Sequence, residues 1–573
     1  MITHNEDIAA LFDQLANILE IEDANPFRIR AYRNAARTIR QLPQELSELV
    51  EQGADLSELP TIGKDLARKI VEIVHTGNLQ ALENETRNVP LALLQLTRLP
   101  GLGPKRVKRL FQELNIKSED DLRKAAQAGK IHILPGFGEQ TEARILEAIA
   151  AHAGEEHRVY LDVAEQVGRR LLDRILGMPG VTRATIAGSY RRRRETVGDL
   201  DILVTCQAGS PFMDRFTSDP EVLEVVSRGT TRSTVILHSG LQVDLRVLAD
   251  ENYGSGLHYF TGSRAHNIAI RRRAIRMGLK INEYGVFKGE KRIAGETEEQ
   301  VFKAVGLPYI EPELRENRGE IEAAQRKALP RLVKQDQILG DLHCHSKASD
   351  GHNSLREMAL AAKALGYRYL AITDHSSRLR IAHGLDAKRL ARQLDEIDRL
   401  NEEFQGFQLL KSSEVDILED GSLDLSDDIL ERLDLTVCSI HFKFDLPVEQ
   451  QTDRIIRAMD HPAFNILGHP SGRLIGEREP IRLNMERLMT AARDRGCFLE
   501  VNGQPKRLDL TDTYCRMAKE LGVRLALGSD AHSTEQLDYM HFCLGQARRG
   551  WLEPRDVINC LSLTDLRRLL KRA

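Results

Sequence analysis

Three patterns of apolar and polar positions succeed one another along the 573-residue chain. In residues 1–150 apolar side chains recur at spacings of three and four, with short turns and almost no β-branched alternation, which predicts helices throughout. From about 155 to 312 helices alternate with strand-like runs, "ATIAGSY", "DLDILVTC", "TVILHSG" and "LQVDLRVL". Residues 313–337 are charged and helix-prone, show no apolar face of their own, and read as a linker. From 338 to 573 short apolar runs such as "RYLAITDH", "LTVCSIH", "NILGHP", "CFLEVNG" and "RLALGSDAH" alternate with helices. That is the βα repeat of a barrel-like parallel sheet. The expected architecture is therefore multidomain: an all-α region, an α+β region and a βα barrel. Each apolar run of the barrel region ends in a polar, ligand-type residue, and in such barrels the C-terminal strand ends form the active face.

Composition narrows the picture. Lys plus Arg number 81 against 85 for Asp plus Glu, a net charge of -4, so any contact with nucleic acid must come from local basic patches. Such patches occur at Lys105, Arg106, Lys108 and Arg109, at Arg191 to Arg194, and at Arg271 to Arg273. Seven scattered cysteines without a C-x-x-C pair argue against a thiolate metal site or a disulfide framework and predict a reducing cytoplasm. The acidic amphipathic start lacks the segments of an export signal, and no window reaches the roughly eighteen apolar residues of a membrane span.

Within the helical region one local pattern occurs three times: "LPTIGKDLARKI", "LPGLGPKRVKRL" and "LPGFGEQTEARIL". Leu-Pro, a glycine turn and a helix start make the shape of a helix-hairpin-helix. Gly63, Gly101, Gly103, Gly136 and Gly138 let backbone N–H groups approach a phosphate where the helix dipole favours an anion, and Lys105 and Arg106 add positive charge. Tight αα-hairpin turns without any DNA contact are the competing reading. Three copies favour sequence-independent DNA binding.

"GSYRRRRETVGDLDIL" joins a glycine turn and four arginines to two aspartates spaced i, i+2 at a strand start. Asp199 and Asp201 then project from one face and repel each other unless a cation intervenes. Asp244 in "LQVDLRVL" offers the third carboxylate on a neighbouring strand, the donor set of a two-metal site that could activate an attacking oxygen and stabilise a leaving one.

The pattern G-S-x-x-R-x-x-x-T-x-G-D-x-D resembles the nucleotidyltransferase signature of family X DNA polymerases, the group of DNA polymerase beta, and the resemblance runs over roughly residues 1–312. It implies a palm over 151–250, a nucleotide-selecting, thumb-like subdomain over 251–312, and lyase-like and DNA-binding helices over 1–150. Mg²⁺ or Mn²⁺ would sit on Asp199, Asp201 and Asp244. Ser189, Arg192 and Gly198 would bind the incoming triphosphate, leaving Arg191, Arg193 and Arg194 structural, DNA-facing or solvated. "YFTGSRAHNIAIRRRA" looks like the family's nucleotide-selecting segment: Tyr259, Phe260 and Gly262 fall where a ribose 2′-hydroxyl is rejected, Asn267 and Arg271 where the nascent pair and template are met. Lys69 matches the family's Schiff-base lysine for abasic sugars and Tyr32 a flanking residue, while Phe27 and Asp65 replace two supporting basic positions.

A second centre lies in the barrel. "GDLHCHSKASDG" places His343 and His345 two apart with Asp350 in the loop after them; later strand ends add His375, Glu414, His441, His469, Asp530 and His532. Imidazole and carboxylate donors without thiolates suit Zn²⁺, Mn²⁺ or Fe²⁺, and a bridging Glu414 lets several ions share one site. The set resembles the polymerase and histidinol phosphatase (PHP) domain, a distorted seven-stranded βα barrel with up to three metals, over 338–573. By that resemblance His343, His345, Glu414 and Asp530 hold one ion, Glu414, His441 and His469 a second, and Asp350, His375 and His532 a third. Arg473, and Arg507 with Asn502 and Lys506, are candidates for gripping a scissile phosphate.

Together the resemblances imply a monomeric cytoplasmic repair enzyme that takes gapped or primed duplex DNA and deoxynucleoside triphosphates. It would fill short gaps at one site and act at the other as a 3′-5′ exonuclease, with abasic-site endonuclease or 3′-end phosphoesterase activity as a further expectation. Two alternatives are a polymerase fused to a small-molecule phosphatase and a non-catalytic scaffold for DNA ends. The intact carboxylates and ligands stand against the scaffold, and the DNA-gripping hairpins against the phosphatase.

Overall fold

The computed structural model describes residues 5–22, 24–40, 42, 46–51, 53–76, 79–86, 93, 96, 102–114, 116, 119–138, 141–146, 158–207 and 210–570. The chain divides into two units, Met1–Glu156 and His157–Ala573.

The first unit is helical, as the spacing predicts. Ile8, Phe12, Leu15 and Leu19 line one face of the helix Asn5–Glu22 and meet Tyr32, Ala36 and Ile39 of Pro26–Arg40, with the Phe12 and Tyr32 rings edge to face at 5.5 Å. Each of the three repeats leads into a helical turn whose first backbone bond is accepted by a glycine carbonyl: Gly63 from Ala67 (2.9 Å), Gly103 from Val107 (3.1 Å), Gly138 from Glu142 (3.0 Å). The second and third repeats pack together through Arg106, stacked 5.6 Å from the Phe137 ring, and through Arg109, which bonds the Pro135 carbonyl.

The second unit begins with a five-stranded sheet in the spatial order Val181–Ile186, Asp199–Cys206, Gln242–Val247, Arg232–Leu237, Val222–Arg228. Only the central pair, Asp199–Cys206 and Gln242–Val247, is parallel. Alternate residues Leu200, Ile202 and Val204 turn to a core shared with Leu171 and Ile175 of the helix Leu161–Leu176. There follow the helices Tyr253–Thr261 and Arg264–Arg276, a three-stranded antiparallel sheet, and the helix Glu298–Ala304.

The segment 313–337 has no separate core, but it is not a solvated tether. Ile321, Ala324 and Leu332 complete the cluster built by Ile270, Val286 and Phe302, and Arg315 is fully buried between the Phe302 and Tyr309 rings. Its charges conceal this in the hydropathy pattern because they are paired: Arg315 with Glu298, Glu320 with His266, Glu313 with Arg548.

Seven parallel strands in sequential order, from Gly340–Cys344 to Leu525–Gly528, make the C-terminal sheet. The bridge Cys344 to Ala531, with bonds from His345 N–H to Ala531 and from Asp530 N–H to His343, brings the first and last strands together and nearly closes the barrel. Tyr369, Leu410, Leu435, Ile466 and Phe498 form one cluster with Leu566 and Leu570 of the helix Leu563–Leu570, which plugs the N-terminal end; Leu370, Leu409, Leu499 and Leu525 face the surrounding helices. A register shift between Asp341 and Cys344 separates the inward Leu342 from the outward Cys344, leaving His343 and His345 directed to the barrel mouth.

The barrel domain also reaches into the first sheet's core, where its Leu508 and Phe542 lie buried among residues of that sheet and of the helix Leu161–Leu176. Leu508→Ala should cost about 2–5 kcal/mol. Trp551, the chain's only tryptophan, packs against the cluster of residues 270–332 and against Arg516, so its fluorescence reports this contact. A lower denaturation midpoint in that signal is expected; an unchanged midpoint would show that Leu508 does not tie the domains together.

Candidate active sites

The parallel register sets Asp201 directly opposite Asp244, with Asp199 two residues earlier on the same strand. Asp244 is oriented by Thr234, whose hydroxyl donates at 2.6 Å, and by Gln242 at 2.7 Å. Burial, and after it the Asp199 and Asp244 carboxylates, push the Asp201 carboxyl up to about 7. Three acids held this way have the donor chemistry of a divalent cation site. Gly188 makes the close approach possible: its φ is +62°, and a Cβ there would stand 2.6 Å from Asp201 Oδ2.

The next residue, Ser189, has its hydroxyl buried without a partner among the described residues, as a donor awaiting an anion would. Arg192 is already engaged, with Nε 3.0 Å from Glu316 and Nη1 donating to the Thr261 carbonyl at 2.8 Å. Gly198 immediately precedes the Asp199 strand. The Tyr259 and Phe260 rings meet edge to face at 5.0 Å, Arg271 stacks on Tyr259 at 5.8 Å, and Arg246 stacks on Phe260 at 4.4 Å. Asn267 donates to the Tyr259 and Gly262 carbonyls at 2.6 and 3.1 Å, and its side-chain oxygen has no partner among the described residues.

At the barrel mouth all nine predicted ligands converge. Three overlapping groups form: His345, Asp350, His375 and His532; His343, His345 and Asp530; His375, Glu414 and His441. His469 Nε2 lies 2.8 Å from Glu414 Oε1. The grouping differs from the expected one, since His345 serves two groups and His375 stands with Glu414 as well as with Asp350.

Charge and orientation both fit cations. His343 Nδ1 is 2.6 Å from Glu500, which turns its Nε2 toward His345 Nε2, 3.2 Å away. Two imidazole nitrogens aimed at one point suit a shared electrophile. Burial opposes charge on His343, yet Glu500, Asp530 and Glu414 raise it well above the ordinary imidazole range. His441 is driven down by burial but up by Glu414, and the net places it at about 9. Burial likewise works against the Glu414 carboxylate, but His375, His441 and His343 hold it well below its usual range. His345 Nδ1 and His375 Nδ1 are buried without a hydrogen bond among the described residues; the latter lies 2.9 Å from Glu414 but out of alignment.

Matches to known families cover most of the chain: a helix-hairpin-helix domain over residues 3–79, a SAM-like helix-hairpin-helix tandem over 93–151, DNA polymerase beta palm over 164–276, DNA polymerase beta thumb over 256–316, and a PHP domain over 341–504. The DNA polymerase/3'-5' exonuclease PolX of Bacillus subtilis is 38% identical across 99% of this chain and 100% of its own length. The chain belongs to the PolX family. DNA polymerase lambda of Arabidopsis thaliana is 28% identical over 54% of this chain and 61% of its own, and a probable phosphatase of a Thermoanaerobacter species is 32% identical over 34% of this chain and 78% of its own.

In this PolX chain several working residues escaped sequence reasoning. Glu500 orients His343 and accepts the His469 N–H at 2.5 Å, and Asp416 holds His441 Nδ1 at 3.0 Å. Asp374 gathers Ser346 and Ser349 at 2.5 Å each. Asp416, two residues after Glu414 on one strand, carried a signal; Glu500 in "CFLEVNG" did not. Gly528 is tied to this shell, since a Cβ there would stand 2.2 Å from Glu500 Oε1.

Arg473 is a correction. Its guanidinium is taken by Glu195 (2.6 Å) and by the Arg507 and Leu508 carbonyls (2.8 and 2.6 Å), so it fastens palm to barrel and offers no open fork to a phosphate. Arg507 does face the site, with Nε 3.9 Å from Asp530. Of the hairpin residues, Gly63, Gly103, Gly136, Gly138 and Lys105 lie at turns or helix starts with Lys105 exposed, Arg106 is drawn onto Phe137, and Gly101 lies outside the described residues.

Lys69 pairs with Asp65 and lies 5.9 Å from the Tyr32 ring. An acid occupying the amine disfavours a free nucleophile, and exposed Phe27 adds no charge for a 5′-phosphate. Abasic-sugar lyase activity should therefore be weak or absent; efficient borohydride trapping on a 5′-deoxyribose-phosphate end, lost in Lys69→Ala, would contradict this. Asp199→Ala or Asp244→Ala should abolish primer extension and leave DNA binding nearly unchanged, because each removes a metal donor and no phosphate contact. Retained extension in a gap-filling assay would rule out the carboxylate site.

Proposed function

We propose that this chain fills short gaps in DNA at the Asp199, Asp201 and Asp244 site and trims 3′ ends at the barrel site, as a monomeric cytoplasmic repair enzyme. The single observation that carries the reading is the register that pairs Asp201 with Asp244 beside a turn bearing an unpartnered Ser189 hydroxyl. Gapped or primed duplex DNA and deoxynucleoside triphosphates are the substrates, and the glycine turns of the first unit grip DNA backbone without regard to sequence.

All-carboxylate donors suit Mg²⁺ or Mn²⁺ at the first site, and imidazole-rich donors suit Zn²⁺, Mn²⁺ or Fe²⁺, up to three ions, at the second. Bound there, such ions supply charge neutralisation and activation of an attacking oxygen. The chain's own groups do the rest. Asp201, coupled to both other acids, must lose its proton for the set to work. Ser189, Arg192 and Gly198 receive the triphosphate, and Tyr259, Phe260 and Gly262, with Asn267 and Arg271, shape the pocket against a ribose hydroxyl and toward the nascent pair. At the barrel, Glu500 and Asp416 fix the imidazoles of His343 and His441, and Arg507 stands nearest for the scissile phosphate. Abasic-site cleavage and 3′-end phosphoester hydrolysis need the same donors and belong to the same proposal.

The two chemistries use separate donors, so they should separate by mutation. His343→Ala combined with His345→Ala removes donors from two of the three groups, and nuclease activity on a 5′-labelled gapped duplex should collapse. Gap filling should persist or improve, and Mn²⁺ should support the wild-type nuclease better than Mg²⁺. A double mutant that degrades 3′ ends at the wild-type rate while losing extension would overturn the assignment.

A further inference from the structure

The arginine turn after Gly188 is held from three sides. Arg191 is bound by Glu298 at 2.6 Å and by Thr261 Oγ1 at 2.8 Å. Arg193 meets Glu165 at 2.7 Å, and the same carboxylate lies 3.1 Å from His541 of the barrel domain. The barrel helix Met540–Arg549 lies directly against the turn: a Cβ at Gly545 would be 3.2 Å from Arg193 Cβ.

Arg549, the last residue of that helix, makes the decisive contacts. Its Nη1 donates to the main-chain carbonyl of Arg192 at 2.8 Å and to Glu316 Oε1 at 3.0 Å, and Glu316 Oε1 is the atom that holds Arg192 Nε at 3.0 Å. Its Nη2 is anchored by Asp512 at 2.6 Å, a carboxylate also held by Arg318. The side chains of Arg549, Glu316 and Arg192 are 5, 9 and 11% exposed, so the pairs are little screened. One guanidinium thus fixes both the backbone of Arg192 and the carboxylate that competes with a triphosphate for it. With Arg549 gone, the full charge of Glu316 falls on Arg192 and the turn loses its outer wall.

We propose that Arg549 and Glu316 are positioning residues of the polymerase reaction, through which the barrel domain sets Arg192 for the incoming nucleotide. This rests on the reading of Arg192 as a triphosphate ligand. It gives the barrel domain a part in polymerisation that is independent of its own metal site.

The test uses the full chain in single-nucleotide gap filling, with nuclease activity on a single-stranded 3′ end measured alongside. Arg549→Ala should raise KM for the nucleotide about tenfold with a smaller change in kcat, as expected for a misplaced binding group. Its nuclease rate should stay near wild type, and Arg549→Lys, which can still reach the carbonyl and Glu316, should recover part of the loss. Arg192→Ala should raise KM at least as much. An unchanged KM in Arg549→Ala, alongside a raised KM in Arg192→Ala, would overturn the proposal while leaving the role of Arg192 intact. An unchanged KM in Arg192→Ala would overturn the reading on which it rests. A parallel loss of nuclease activity in Arg549→Ala, without rescue by lysine, would reduce Arg549 to a structural residue and overturn its positioning role.

Discussion

A charge removed from water must be neutralised close by, and the second unit of this chain is organised around that requirement. Asp199, Asp201 and Asp244 bring three carboxylates onto two adjoining strands, and burial with mutual repulsion pushes Asp201 up to about 7. Nine imidazoles and carboxylates, His469 among them, crowd the barrel mouth under the same constraint. Where no metal is expected, the neutralising partner is protein: Glu298 lies between Arg191 and Arg315, and although burial pushes its carboxyl up, the two arginines hold it down at about 2.

The same requirement explains three of the four consecutive arginines. Arg191 ties the turn to the thumb through Glu298, Arg192 does so through Glu316, and Arg193 reaches Glu165, which also faces the barrel. Their salt-bridge partners therefore come from thumb and palm, and two of these carboxylates, Glu165 and Glu316, are shared with His541 and Arg549 of the barrel beside the proposed nucleotidyl-transfer site. Leu508 buried in the palm core and Arg473 on Glu195 add further contacts between palm and barrel within this unit.

Within the barrel, carboxylates behind the proposed ligands set their orientation. Glu500 and Asp416 each take one ring nitrogen of a histidine and so aim the other at the shared pocket. Two of the proposed ligands, His469 and Asp530, adopt left-handed backbone with φ of 25° and 54°, strain of the kind that accumulates at functional sites.

Much of this was legible in the chain itself. Helical spacing over 1–150, the βα repeat after 338 and the candidacy of the nine imidazoles and carboxylates that converge at the barrel mouth follow from local periodicity and from polar residues at strand ends, and local rules suffice for those. The aspartate triad was readable because i, i+2 on a strand fixes a shared face. Partnership across long separations was not. The linker reading of 313–337 missed that its charges are buried in pairs, because a paired Glu316 or Arg315 looks like a solvated one in sequence. Arg473, four residues after the candidate ligand His469, read as a phosphate grip, and only the fold shows Glu195 already holding it. The sequence by itself determined which groups are chemically able to act. The tertiary structure alone decided which of them are committed to each other, because ion pairs such as Arg549 with Glu316 depend on distance in space, and 233 positions along the chain separate the two.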